Sequence, residues 1–243
     1  MLTGCARHPP MHDVTTAPRP PVQSPTDAPP VVEPTAPRPP GASLAVACAL
    51  LGAVVAGGIA LRLAPGQNVI DSWGFSVFPN VLHNAFLRAM SDLGEAPVTA
   101  GVALVAAAWI WRRDRSRAFA CLGGPALAIG LAELCKLLVD RKFHGALCWP
   151  SGTAAAVTAV ATVVVLVVRG PGRAVAVAIG LAVVTFEVVA LVAFRWHYLT
   201  DAFGGVVLGV GCVLFVDAVF HRLRRPHRRS RRARPPLASA PPE

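Results

Sequence analysis

Lys136-Leu-Leu-Val-Asp-Arg-Lys-Phe-His-Gly-Ala-Leu-Cys-Trp-Pro-Ser-Gly-Thr153 joins two strongly apolar segments, and its reading decides that of its surroundings. The chain has 23 basic residues (Lys plus Arg), and Lys136 and Lys142 are the only lysines among them. A chain that uses arginine everywhere else and keeps both lysines here is answering a local demand. Three cations, Lys136, Arg141 and Lys142, are followed by a tight Pro150-Ser151-Gly152 turn. That combination suits an oxyanion such as phosphate: arginine offers a planar fork of donors, lysine a compact charge, and a glycine turn its backbone N–H groups. The competing reading is an ordinary basic loop beside a membrane helix.

Outward from this loop the composition is that of a membrane protein. Of 243 residues 54% are hydrophobic, yet the formal charge is +10. Those figures conflict for a soluble domain and agree for a membrane domain with basic aqueous ends. The apolar runs approach the roughly 20 residues a helix needs to cross a bilayer. Six cysteines, at 5, 48, 121, 135, 148 and 212, form no C-x-x-C pair, so neither a zinc site nor a disulfide framework is indicated. Cys48, Cys121, Cys135 and Cys212 lie in or beside apolar runs, as small buried hydrophobes do.

Six spans are expected, at about 42–63, 97–111, 118–139, 153–168, 174–194 and 202–220. Between the first two lies a mixed segment, Pro65–Glu95, carrying Trp73, Phe75, Phe78, His83, Phe86 and Leu87. It reads as a helix or reentrant piece at the membrane surface. Residues 1–41, rich in proline, threonine and alanine, cannot bury enough surface to fold and are expected to be a disordered cytoplasmic tail. Leu2-Thr3-Gly4-Cys5 mimics a lipobox without the signal region that precedes one, and is read as coincidence. Residues 221–243 form a second, basic tail, also expected to be disordered. Next to a membrane helix, its arginines suit anionic lipid better than nucleic acid.

Loop charge gives an orientation. With six spans, Arg112–Arg117, Arg169–Arg173 and the arginine-rich tail fall on one side. The positive-inside rule makes that side cytoplasmic, together with both termini. The lysine loop and the Arg195–Asp201 loop then share the extracytoplasmic face. The second loop supplies His197 and Asp201, whose i, i+4 spacing puts both side chains on one face of a helical turn. There Asp201 would accept a hydrogen bond from one ring nitrogen, fixing the tautomer and leaving the other as nucleophile or base.

With these residues in view, the chain resembles the type 2 phosphatidic acid phosphatase superfamily of membrane lipid phosphatases, over roughly residues 42–220. That family's motifs are K-x6-R-P, P-S-G-H and S-R-x5-H-x3-D. The resemblance implies an all-α integral membrane bundle of six transmembrane helices. It implies His197 as a nucleophile forming a phosphohistidine, with Asp201 as its orienting carboxylate. Lys136 and Arg141 would bind phosphoryl oxygens, with Ser151 and the Gly152 N–H facing the transferring group. Catalysis would rest on positioning and charge stabilisation. No metal and no cofactor are implied. The partners implied are a lipid phosphate or diphosphate and the surrounding membrane lipids, in a multi-pass protein of the cell membrane.

The motifs depart from the family pattern at three places. Arg141 lies five residues after Lys136, and Phe143 stands where the full spacing expects arginine. Thr153 replaces the histidine of P-S-G-H, the family's general acid, and Leu191 stands at the third-motif arginine. Neighbours in sequence offer stand-ins: Arg195 for the missing arginine, His144 or Thr153 itself at the acid. General acid help is typically worth about 10²–10⁴ in rate. A phosphate leaving from a diphosphate needs least of it, an alkoxide most. The expected substrate is therefore a lipid diphosphate, with polyprenyl diphosphate favoured and a role in recycling the carrier of cell-envelope synthesis implied by the resemblance. A catalytically silent relative that binds lipid phosphate or a membrane partner is the alternative. Three carboxylates in apolar runs are read structurally: Glu133 pairing with Lys136, Glu187 with Arg141 or Arg195 or else protonated, and Asp217 with the basic tail. Trp149 and Trp196 read as interfacial anchors.

Overall fold

Residues 40–78, 80 and 84–232 are described by the computed structural model. The proline-rich stretch up to residue 39, His83 and residues 233–243 lie outside the described residues. The fold is all-α, with eight helices among the described residues and one two-residue β-ribbon. In chain order the helices are α1 (Pro40–Leu63), α2 (Val69–Val77), α3 (Ala85–Asp92), α4 (Ala96–Ile110), α5 (Arg115–Val139), α6 (Gly152–Val167), α7 (Gly172–Ala193) and α8 (Leu199–Arg232). The ribbon pairs β1 (Lys142–Phe143) with β2 (Ala146–Leu147).

Local chemistry sets most of these boundaries. The segment between the first two long helices resolves into α2 and α3 because two asparagines cap them. The Asn68 side chain accepts from the Asp71 N–H at 2.9 Å while Asp71 reaches back, a reciprocal capping box. Asn84 accepts from the Leu87 N–H at 3.1 Å. Asp114 caps α5 through the Arg117 N–H, and Ser151 caps α6 through the Ala154 N–H. α4 opens with Pro97 in its first turn, where a missing N–H costs nothing. α5 ends as Asp140 enters the left-handed region at φ 52°, and α7 ends just before Arg195 does the same at φ 58°.

Four helices are long and apolar enough to cross a membrane, within Ser43–Leu63, Arg115–Val139, Gly172–Ala193 and Leu199–Leu223. A fifth arises if α3 and α4, bent by 54° at their junction, count as one span. α6, at 16 residues, is apolar but shorter than such a span. Six full-length spans are thus not confirmed: four or five helices reach that length, and α6 is a shorter apolar helix. α8 continues to Arg232, so helix extends into the stretch read as the basic tail.

α8 is the hub, packing on α1, α5 and α6. One apolar cluster joins Val54 of α1, Ile110 of α4, Cys121 of α5, Val163 of α6 and Leu208 of α8; another joins Val188, Leu191 and Val192 of α7 to Ala154 and Leu199. α6 and α8 meet nearly backbone to backbone. A Cβ on Gly205 would lie 2.9 Å from the Ala154 Cβ, and one on Gly209 would lie 2.9 Å from the Ala159 nitrogen. Small residues at i, i+4 permit this approach, as they do between membrane helices generally. The contact leaves the N-terminus of α6 beside that of α8.

Candidate active site

The two loops singled out in the sequence meet. The Ser151 N–H donates to the Asp201 carbonyl at 3.0 Å, locking the first turn of α6 to that of α8. Arg141, leaving the left-handed cap of α5, turns inward and is buried. Its Nη1 donates to Asp201 Oδ1 at 2.5 Å and to Thr200 at 2.8 Å. Its Nη2 donates to Asp71 Oδ2 at 2.5 Å and to the Gly66 carbonyl at 2.8 Å. The guanidinium also lies over the Tyr198 ring, 4.2 Å from its centroid. Burial works against its charge, but Asp201 and Asp71 outweigh burial and hold its pKa above the ordinary arginine value. Arg141 was expected among the phosphate-binding residues. Both terminal nitrogens meet protein acceptors, which ties three segments together, while Nε is buried without a partner.

Asp201 is fully buried and used on both oxygens: Oδ1 by Arg141, Oδ2 by the Tyr198 N–H at 3.2 Å. His197 Nδ1 lies 3.8 Å from Oδ2, on the expected face but beyond hydrogen-bond length. That ring nitrogen is buried with no hydrogen-bond partner. The imidazole is therefore placed beside the carboxylate without being clamped by it.

Lys136, one turn before the end of α5, reaches over the α6 N-terminus. Its Nζ pairs with Glu133 at 2.7 Å, as expected, and would lie 3.6 Å from a Cβ placed on Gly152. Ser151 Oγ and Thr153 Oγ1 are 3.2 Å apart. Lys136, Glu133, Ser151, Gly152 and Thr153 thus share one small region: the ammonium and its Glu133 partner, whose Oε1 would lie 3.5 Å from the same Cβ, stand over the first turn of α6.

The stand-ins are placed differently. Arg195 donates to the Phe75 carbonyl at 2.9 Å and lies 4.1 Å from that ring's centroid, leaving Nη1 buried and unpartnered. His144 sits at the exposed tip of the β-ribbon, against Phe143. It and Gly145 have φ of 50° and 86°, the pattern of a type I′ turn. Among the described residues, no hydrogen bond or ion pair joins His144 to Lys136, Ser151 or His197. Leu191 is core, 1% exposed, and its carbonyl accepts the N–H groups of Trp196 and His197.

Glu187 pairs with neither Arg141 nor Arg195; both its oxygens are buried without a partner. Asp217 lies 3.6 Å from His221, one turn on. Trp149 is no interfacial anchor: it is buried in a cradle formed by Gly57 and Gly58 of α1 and Gly204 of α8. Trp196 is exposed, with Arg88 over its ring.

Sequence reasoning missed Asp71 and Thr200. Asp71, fully buried, accepts from Arg141 on one oxygen and from the Thr200 N–H and hydroxyl on the other, at 3.0 and 2.8 Å. Its one signal was the cap pattern Asn68-x-x-Asp71. That signal speaks of a helix start and says nothing of a partner 70 positions away. Among the described residues no group of three or more His, Cys, Asp or Glu is arranged to hold a metal ion.

No curated protein and no solved structure gives a significant match to the chain. The model of the PAP2 superfamily matches residues 131–225, a stretch that opens before Lys136 and takes in both loops. Members of that superfamily are typically phosphatases acting on lipid phosphates. Residues 131–225 are a PAP2 superfamily domain.

Proposed function

We propose that the protein hydrolyses a lipid phosphate, with polyprenyl diphosphate the favoured substrate, through a phosphohistidine on His197. The observation that carries this reading is the Lys136 ammonium facing the first turn of α6, where Ser151, Gly152 and Thr153 converge. A helix N-terminus with a lysine over it stabilises charge on phosphoryl oxygens without reorganising as the group moves. His197 would attack in line, and Asp201 would hold the ring by a hydrogen bond that closes when substrate is bound; such bonds are often long in the unoccupied state. Arg141 acts here as a positioning residue, fixing Asp201 between α2 and α5. Diphosphate is favoured because Thr153 is a far weaker acid than histidine, and a departing phosphate needs least protonation. A groove of about 280 Å³ beside Thr200 and Trp149, walled by Val54, Phe203 and Val207, offers a place for the lipid chain.

In this proposal α3–α4 and the short α6 complete six crossings. The site then faces the extracytoplasmic side, with both termini cytoplasmic. The arginine loops support it: Arg117 donates to the Leu166 carbonyl and Arg169 lies 3.9 Å from Asp114, so both gather at the end of the bundle opposite the site.

One observation favours a second reading, a silent relative that binds lipid phosphate without cleaving it: the 3.8 Å His197–Asp201 separation, with both Asp201 oxygens already used. Phosphate release from a polyprenyl diphosphate by detergent-purified protein, with EDTA present, separates the two. The expected result is turnover by the parent and none by His197→Ala. Binding of the lipid without turnover by either would establish the silent relative.

A further inference from the structure

Glu187 is the one carboxylic acid among the described residues that is fully buried with both oxygens unpartnered. It lies on α7, inside a segment long and apolar enough to cross the membrane. An ionised carboxylate left so would carry a large desolvation cost, which protonation removes. Neither cation in reach by sequence pairs with it: Arg141 is held by Asp71 and Asp201, and Arg195 donates through Nη2 to the Phe75 carbonyl while its Nη1 stays unpartnered. The nearby charge from α3 is Asp92, another carboxylate. A buried acid has been kept where an apolar residue would cost less, which asks for a use.

Its surroundings suggest one. The hydroxyls of Thr153 on α6 and Ser91 on α3 face the Glu187 carboxyl without closing a hydrogen bond within normal geometry. Gly94, at the bend between α3 and α4, makes room for this. A Cβ there would lie 3.1 Å from the Thr153 Cβ and 3.2 Å from the Ser91 carbonyl. On its other side, Thr153 Oγ1 is 3.2 Å from Ser151 Oγ, at the helix start where the phosphoryl group is proposed to sit. A hydroxyl carries one proton and two lone pairs, so it can accept a proton on one side while donating on the other.

We infer that Glu187 is the proton source of the reaction and that Thr153 relays its proton to the leaving group. The inference rests on the function proposed above. In the first step a His197 ring nitrogen bonds to phosphorus and the bond from phosphorus to the leaving oxygen breaks. That oxygen takes the Thr153 hydroxyl proton as Thr153 takes the Glu187 proton, leaving Glu187 ionised. In the second step water attacks the phosphohistidine, the P–N bond breaks, and the water proton returns through Thr153 to Glu187. Phosphate leaves and both residues regain their starting states. Thr153 touches the reacting atoms; Glu187 acts through it.

The test compares two leaving groups with full-length protein in detergent: phosphatidic acid, which expels an alkoxide, and a prenyl diphosphate, which expels a phosphate. The parent is expected to turn over both. Glu187→Gln, equal in size and uncharged, should lower kcat for phosphatidic acid by about 10² or more, the scale of general acid help, with KM little changed. The diphosphate rate should fall much less, so the ratio of the two rates rises at least about tenfold. Thr153→Val should raise the ratio likewise, and Thr153→His added to Glu187→Gln should bring monoester turnover back. Equal losses on both substrates would make Glu187 structural and overturn the relay, as would no loss on either. A parent active on diphosphate alone would overturn the relay and leave the phosphatase standing. A parent active on neither would overturn both.

Discussion

Arg141 and its two carboxylates show what one residue contributes. Asp71 and Asp201 are fully buried and share a single guanidinium, so its removal strands two charges in a dry interior. Breaking a buried ion pair from one side costs about 3–5 kcal/mol. Arg141→Ala should therefore cost at least about 3 kcal/mol in thermal or denaturant unfolding in detergent. Arg141→Lys should recover only part of that, because an ammonium cannot serve Asp71 and Asp201 through a flat fork. Equal stability of the parent and Arg141→Ala would mean that the triad holds nothing together. Cys148, whose sulfur donates to the Arg141 carbonyl, belongs to the same packed unit; burial first, then the Asp201 charge, pushes its pKa up and keeps it a thiol. Much of this was legible. Lys136, Ser151, Gly152, His197 and Asp201 stand out by type and spacing; Lys136 lies over Gly152, Ser151 is joined to Asp201, and His197 lies beside Asp201. Arg141 was picked as a cation for an anion, and in the structure its terminal nitrogens meet the protein's own carboxylates, Asp71 and Asp201. Asp71 could not be found, because pairing across 70 positions leaves no periodic trace in a sequence.

At the level of elements, the contact of α6 with α8 decides whether a site exists at all. The Ser151 N–H reaches the Asp201 carbonyl because Gly205 and Gly209 present no side chain to α6. Overpacking a tight contact typically costs about 1–3 kcal/mol. Gly209→Leu should thus lower stability by at least that scale and abolish turnover. Gly130→Ala on α5, where nothing lies within 4 Å, should be harmless or gain about 0.5–1 kcal/mol from lost chain freedom. Thermal unfolding and phosphate release on the two variants check the contrast. The apolar helices themselves were legible to within a few residues at most of their ends, since apolar length is the strongest signal a membrane chain carries. Only four or five of them reach the length of a span. The split of residues 65–95 into two capped helices and the ribbon after Arg141 were not legible. Each depends on short polar patterns, Asn68-x-x-Asp71, Asn84 and His144-Gly145, that carry little weight beside an apolar run.

For the whole molecule, the ends of the helices sort into two sets. The end of α5, the start of α6 and the start of α8 gather about Arg141 and Ser151, while the start of α5 and the end of α6 gather about Asp114. Cysteines placed at His144 and at Arg173 should therefore react with a membrane-impermeant maleimide from opposite sides of intact cells, His144→Cys from outside. Labelling of both from the same side would rule out the proposed topology. Arginine placement proposes an orientation, which the labelling tests; the depth of the site depends on where α6 begins.

That depth has a consequence for how substrate arrives. Sixteen residues at 1.5 Å per residue make α6 about 24 Å long, against a hydrocarbon layer of about 30 Å. On the proposed topology, with its far end near the opposite interface at the arginine turn, α6 would start some way below the surface on the site side. A phosphorylated lipid would then have no need to be lifted out of its leaflet. It would drift sideways into the protein, and the encounter would be a search in two dimensions. The concentration that governs the rate would be the mole fraction of substrate among its neighbouring lipids, and the aqueous concentration would drop out.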